Sequence, residues 1–140
     1  MQRARIAILV DKSAPFYVGG YEDRYWNIGT RLVESCDVRV YTSLPTRQET
    51  VAGVEFHRLS PSSMQTRNAG SRSPLHSLAF SVGTARNPFA NWRPDVVLVE
   101  AIPYVHLPIL SRWIRDADYL RVLNVNEAWW NYRVAGGGAR

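Results

Sequence analysis

The chain has 140 residues, 46% of them apolar, one cysteine and a net charge of +5. That length suffices for one domain with its own core, and a lone cysteine excludes a disulfide framework within the chain. Of 17 basic residues only Lys12 is lysine, and the basic balance suits nucleotide, phospholipid or nucleic acid as well as a plain solvated surface, so charge alone selects no partner.

The start, MQRARIAILV, is basic and then apolar, as a signal peptide is. Its apolar run is too short, stops at Asp11 and carries no small-residue cleavage site. Nowhere does the chain approach the roughly 18 to 20 apolar residues of a membrane span. A cytoplasmic chain in a reducing compartment is therefore the expectation, with a peripheral membrane contact left open.

Residues 5–10, RIAILV, read as a strand buried on both faces. A loop rich in Pro, Gly and aromatics follows. From Tyr21 the period changes: Tyr25, Ile28, Leu32 and Val33 recur at helical spacing, with Glu22 and Asp23 in the first turn, and the helix is expected to stop near Ser35. Residues 37–42, DVRVYT, predict a second strand, and residues 53–59, GVEFHRL, a third. The polar stretch from Ser60 to Pro74 reads as a long loop with Arg67 and Arg72 in it.

Leu75, Leu78, Ala79 and Val82 then predict a helix closed by Asn87-Pro88. Residues 95–100, DVVLVE, are the clearest buried strand. Pro103 and Pro108 predict a loop leading to a helix that buries Ile109, Trp113 and Ile114, and residues 121–126, RVLNVN, predict a last strand. The fold class that follows is α/β: a Rossmann-like open parallel sheet with helices on both faces, over residues 1–135, with 136–140 as a glycine-rich linker or truncated end.

In such a sheet ligands bind beyond the carboxyl ends of the strands. Gly19-Gly20 falls there, between the first strand and the first helix, where free amides attract phosphate or a sugar hydroxyl. A loop that needs glycine only to turn would look the same. Neither the full G-x-G-x-x-G fingerprint nor a Gly-Lys-Ser/Thr P-loop occurs.

The order of these pieces resembles the N-terminal, acceptor-side domain of retaining GT-B glycosyltransferases of the family-4 type. The likeness is carried by RIAILV, the loop with Gly19-Gly20-Tyr21-Glu22, the amphipathic helix, DVRVYTS, GVEFHRL, DVVLVE and RVLNVNEAW. It implies a two-domain enzyme that transfers a glycosyl group without metal. The N-terminal half would hold a sugar or lipid-linked acceptor, and the C-terminal half the nucleotide-sugar, which is a substrate and not a resident cofactor. Gly19 and Gly20 would approach the donor's phosphates or sugar, with Glu22 fixing the loop.

Two departures bear on that expectation. The family's donor-binding E-x7-E pair is absent, so the chain would be half an enzyme, completed by a C-terminal domain or subunit. Asn126 stands where the family often has histidine; asparagine cannot act as a base but can hydrogen-bond a hydroxyl. Asn126 and Glu127 are the candidates for the catalytic position. Glu100, Tyr104, Trp129 and Trp130 are the candidates for acceptor binding, since carboxylates take sugar hydroxyls and aromatic faces stack on sugar rings. Packing of the WWNY stretch against a partner explains those aromatics equally well.

Other chemistries find less support. His57, His76 and His106 lack metal-ligand spacing, Asp116-Ala117-Asp118 sits at a predicted helix end rather than after a strand, and there is no G-x-S-x-G. No nucleic-acid module or basic–aromatic cluster occurs. A non-catalytic interaction subunit and a small flavodoxin-like ligand-binding domain are the competing readings.

Overall fold

A computed structural model describes residues 2–17, 19–43, 48–59, 74–86, 88–100, 106–109 and 120–124. Six strands form one sheet: β1 (Ala4–Leu9), β2 (Cys36–Thr42), β3 (Glu49–Val51), β4 (Val54–Arg58), β5 (Val96–Glu100) and β6 (Leu120–Asn124). Helix α1 (Gly20–Leu32) follows β1, and α2 (Pro74–Thr84) precedes β5. The strand order is β3-β4-β2-β1-β5-β6, all parallel except β3, which pairs antiparallel with β4.

The five parallel strands thus run outward from β1 in both directions, first through β2 to β4, then through β5 to β6. The order reverses between β1 and β5, and this is the topological switch point of a Rossmann-like sheet. A flavodoxin-like sheet would place its second strand at the edge; here β2 lies between β1 and β4, so that competing reading does not describe the winding.

Residues 6–10, IAILV, are apolar throughout because both faces of this strand are covered. Ala7 and Leu9 join Tyr41, Phe80, Phe89, Val97 and Val99 in a core on the α2 side. Ile8 and Val10 join Tyr25, Val38, Val40, Val54 and Phe56 in a core on the α1 side. Phe56 is fully buried there, with Phe16 edge-on at 5.0 Å and Trp26 stacked at 6.0 Å between centroids.

Helix α1 begins with Glu22 and Asp23 in its first turn and carries Arg31 in its last, charges that complement its dipole. It ends at Leu32, three residues before the expected stop at Ser35. On α2 the predicted apolar stripe is buried at Ala79 but not at Leu78 and Val82. Leu78 and Val82 are 49% and 48% exposed, while Ala79, Phe80, Ser81 and Thr84 are buried. The reason is a close approach: a side chain at Gly83 would collide with the carbonyl group of Leu59, just past β4, so the helix presents its glycine face to the sheet.

Strand β3 is absent from the sequence reading, which began a strand at Gly53. A two-residue turn joins it to β4, with Ala52 at φ 47° and Gly53 at φ 80°. Positive φ at both central positions gives the twist that a tight hairpin needs. The segment from 60 to 73 and residues 110–119 lie outside the described residues, as do Arg67, Arg72, Trp113, Ile114 and the Asp116–Asp118 pair.

Candidate functional site

At the carboxyl edge of the sheet three of the parallel strands, β1, β2 and β5, end in or lead within two residues to buried polar side chains. After β1 come Asp11, Lys12 and Ser13; β2 ends in Thr42 followed by Ser43; β5 ends in Glu100. All six are at most 5% exposed. Buried polar groups need partners, and the backbone of one tip supplies them to the next. Thr42 Oγ1 donates to the carbonyl of Asp11 at 2.9 Å, Ser43 N donates to the same carbonyl at 3.0 Å, and Ser43 Oγ donates to Asp11 Oδ1 at 3.0 Å. The tips of β1 and β2 are thereby tied together.

The loop after β1 turns tightly, with the amides of Phe16 and Tyr17 both on the carbonyl of Ser13. Lys12 Nζ sits 4.1 Å from the centre of the Tyr17 ring, a favourable cation–π placement. The loop then delivers the two glycines to the start of α1.

Those glycines do different things. Gly19 is the N-cap, extended at φ −176°, and no side chain caps the helix. Its missing side chain makes room for the Glu22 carboxylate, which occupies the space where a Cβ would be. Gly20, the first helical residue, is exposed and has nothing within 4 Å of an added Cβ. Neither has the positive φ that only glycine adopts freely; among the described glycines that belongs to Gly53. Gly19 is thus there for close approach to a carboxylate, and Gly20 presents bare backbone to solvent.

Glu100 lies across the switch point. Its Oε2 accepts a 2.5 Å hydrogen bond from Tyr25 Oη, so β5 and α1 are joined by a buried carboxylate–phenol pair. Tyr25 entered the sequence reading as one of the core positions of α1; the phenol gives it a polar task as well. His106, in a helical turn at 106–109, sets its Nε2 2.9 Å from the carbonyl oxygen of Glu100 and meets Phe80 edge-on at 5.3 Å. Burial drives its pKa down to about 4, against a smaller upward pull from the Glu100 carbonyl and from Asp11.

Of the residues singled out from sequence, Gly19, Gly20, Glu22 and Glu100 come together around this edge. Tyr104, Asn126, Glu127, Trp129 and Trp130 lie outside the described residues. Sequence reasoning missed Asp11, Lys12, Ser13, Tyr25, Ser43 and His106. The usable signal was positional: D-K-S and T-S directly follow apolar strand runs, which is where an open α/β sheet builds its site.

The opposite edge differs in kind. A groove of about 340 Å³ there is lined by Arg3, Cys36, Asp37, Arg39, Glu55 and Trp92 among others. Its charges answer each other: Arg39 Nε lies 2.7 Å from Glu55 Oε2 with its guanidinium 4.5 Å over the Trp92 ring, and Arg3 lies 3.5 Å from Asp37. His57, 2.9 Å from Glu55, has a pKa lowered chiefly by burial, opposed by the Glu55 carboxylate.

Among the described residues no group of three His, Cys, Asp or Glu side chains could hold a metal ion, and no helix is long and apolar enough to cross a membrane. No protein-family model matches the chain, and no curated protein matches it.

Proposed function

We propose that this chain is the acceptor-binding half of a nucleotide-sugar-dependent glycosyltransferase, acting with a donor-binding half supplied by a further domain or subunit. One observation carries the reading: the tandem-glycine loop leaves β1 beside β5, at the reversal of strand order, with Glu22 folded against Gly19 and Glu100 at the end of the neighbouring strand bonded to Tyr25 of α1. That is the place where sheets of this winding take small polar ligands. Bare backbone at Gly20 supplies amides to an incoming oxygen, and buried carboxylates supply acceptors for hydroxyls. In this reading Asn126 and Glu127 stand near the reacting centre, and Tyr104, Trp129 and Trp130 contact the acceptor.

The reading divides labour between two halves, which gives it a direct test. Titration of nucleotide-sugars into the isolated chain should show weak binding or none, whereas simple glycosides should give saturation-transfer signals that Gly20→Trp removes. Tight nucleotide-sugar binding to this chain alone contradicts the division.

A second reading, an interaction subunit, is favoured by Leu78 and Val82, one turn apart and both about half exposed on α2. Affinity capture separates the two. A partner carrying paired glutamates at E-x7-E spacing supports a split enzyme, and a partner of unrelated fold supports the interaction subunit.

A further inference from the structure

Three carboxylates, Asp11, Glu22 and Glu100, and one ammonium, Lys12, are buried around the switch point. One of them already occupies the helix start: Glu22 lies against Gly19, where the dipole of α1 favours a negative group and where a phosphate would otherwise settle. An anionic ligand meets a charge that the chain has supplied for itself.

An observation independent of charge concerns His106, which is wholly buried at the same edge. Its Nε2 faces the carbonyl oxygen of Glu100, and a carbonyl oxygen only accepts. Nε2 therefore carries the proton, and the neutral ring keeps its lone pair on Nδ1. That atom is buried without a hydrogen-bond partner, an arrangement that folded proteins seldom leave unmet. It lies on the ring edge turned away from the Glu100 carbonyl, within the field of Asp11, while Phe80 meets the ring edge-on. Of the next two residues Leu107 is half-buried and Pro108 is exposed.

We propose that His106 Nδ1 accepts a hydrogen bond from a hydroxyl of an uncharged sugar, and that this edge discriminates against phosphorylated sugars. The inference rests on the acceptor-side reading and narrows it to neutral acceptors. A hydroxyl donates to Nδ1. A phosphate dianion only accepts, so it sets lone pair against lone pair at Nδ1, and the buried carboxylates of Asp11, Glu22 and Glu100 add repulsion.

The test uses the intact, isotope-labelled chain near neutral pH, with methyl α-glucopyranoside, methyl α-mannopyranoside and glucose 6-phosphate as probes. A long-range proton–nitrogen spectrum of the imidazole reads both ring nitrogens, and amide spectra read the rest of the chain. At least one glycoside should move Nδ1 upfield while Nε2 holds, and glucose 6-phosphate should bind about tenfold more weakly or worse. His106→Leu should abolish the glycoside shifts at Gly19 and Gly20; should that variant unfold, the wild-type nitrogen spectrum decides alone. Amide shifts at this edge with Nδ1 unmoved would overturn the inference and leave the acceptor-side reading standing. No shift with any probe would overturn both, and equal affinity for the sugar phosphate would overturn the selectivity.

Discussion

The two edges of the sheet carry charge in opposite ways. At the amino edge, Arg3, Asp37, Arg39 and Glu55 form partly exposed ion pairs around a groove, cation against carboxylate. At the carboxyl edge, Asp11, Lys12, Glu22 and Glu100 are withdrawn from solvent and held by hydroxyls, backbone and an aromatic face. Partly exposed pairs are worth little and serve to close off strand ends. Buried charge has to be maintained by its surroundings, and a fold concentrates it where a ligand gives it a use. On the proposed reading, this contrast favours the carboxyl edge as the ligand-binding side and leaves the amino edge as construction.

The largest effect expected tests the frame on which that edge is built. Gly83→Val drives a side chain into the Leu59 carbonyl beyond β4. Overpacking against backbone that cannot rotate away should cost about 3 kcal/mol in urea denaturation, and a near-neutral result would contradict the close approach.

Next comes pH. The ordinary histidine value is 6.5, and in the fold His106 is lowered to about 4. Between those values the unfolded chain binds a proton that the folded chain refuses, so this contribution is complete above about pH 6.5 and is lost as pH falls towards 4, about 3 kcal/mol in total. His57 is lowered too and adds a slope of the same sign. Denaturation midpoints measured from pH 7 to pH 4 should therefore fall steeply, and His106→Gln should flatten the fall; an unchanged slope in the variant would assign the pH dependence elsewhere.

The edges themselves are compared by matched cuts. Tyr25→Phe removes the hydroxyl from a buried carboxylate and should cost about 1–3 kcal/mol. Arg39→Gln removes a partly exposed pair and should cost less than about 1 kcal/mol. Equal costs would erase the distinction between the edges. A smaller effect separates the two glycines. Gly19→Ala displaces the Glu22 carboxylate and should cost about 1 kcal/mol, because the far end of that side chain can shift. Gly20→Ala enters open space and should stay within about 0.5 kcal/mol, so thermal melts that rank them the other way would reverse the roles of the two glycines.

Much of the frame was legible in the sequence. Residues 6–10, IAILV, and 96–99, VVLV, are apolar at every position because a helix covers each face, and that pattern marked both as buried strands. The parallel α/β class followed from the alternation of strands and helices. What escaped was set by contacts between distant segments. Leu78 and Val82 were misplaced on the buried face of α2 because Gly83 packs on Leu59, 24 positions earlier, and glycine gives no apolar signal. Strand β3 was missed because Ala52 adopts a positive φ that alanine seldom takes. At the site, Glu22 and Glu100 stood out as carboxylates near predicted turns. Tyr25 and His106 did not, because a helical core position and an isolated histidine acquire polar meaning only when Glu100 arrives from a strand 75 residues after Tyr25.

The central claim is that ligand enters at the carboxyl edge, and amide chemical-shift mapping with a methyl glycoside tests it most directly. Saturable shifts should gather at Gly19, Gly20 and Glu100, with Arg3, Asp37 and Arg39 unmoved. Shifts confined to the amino-edge groove would contradict the account.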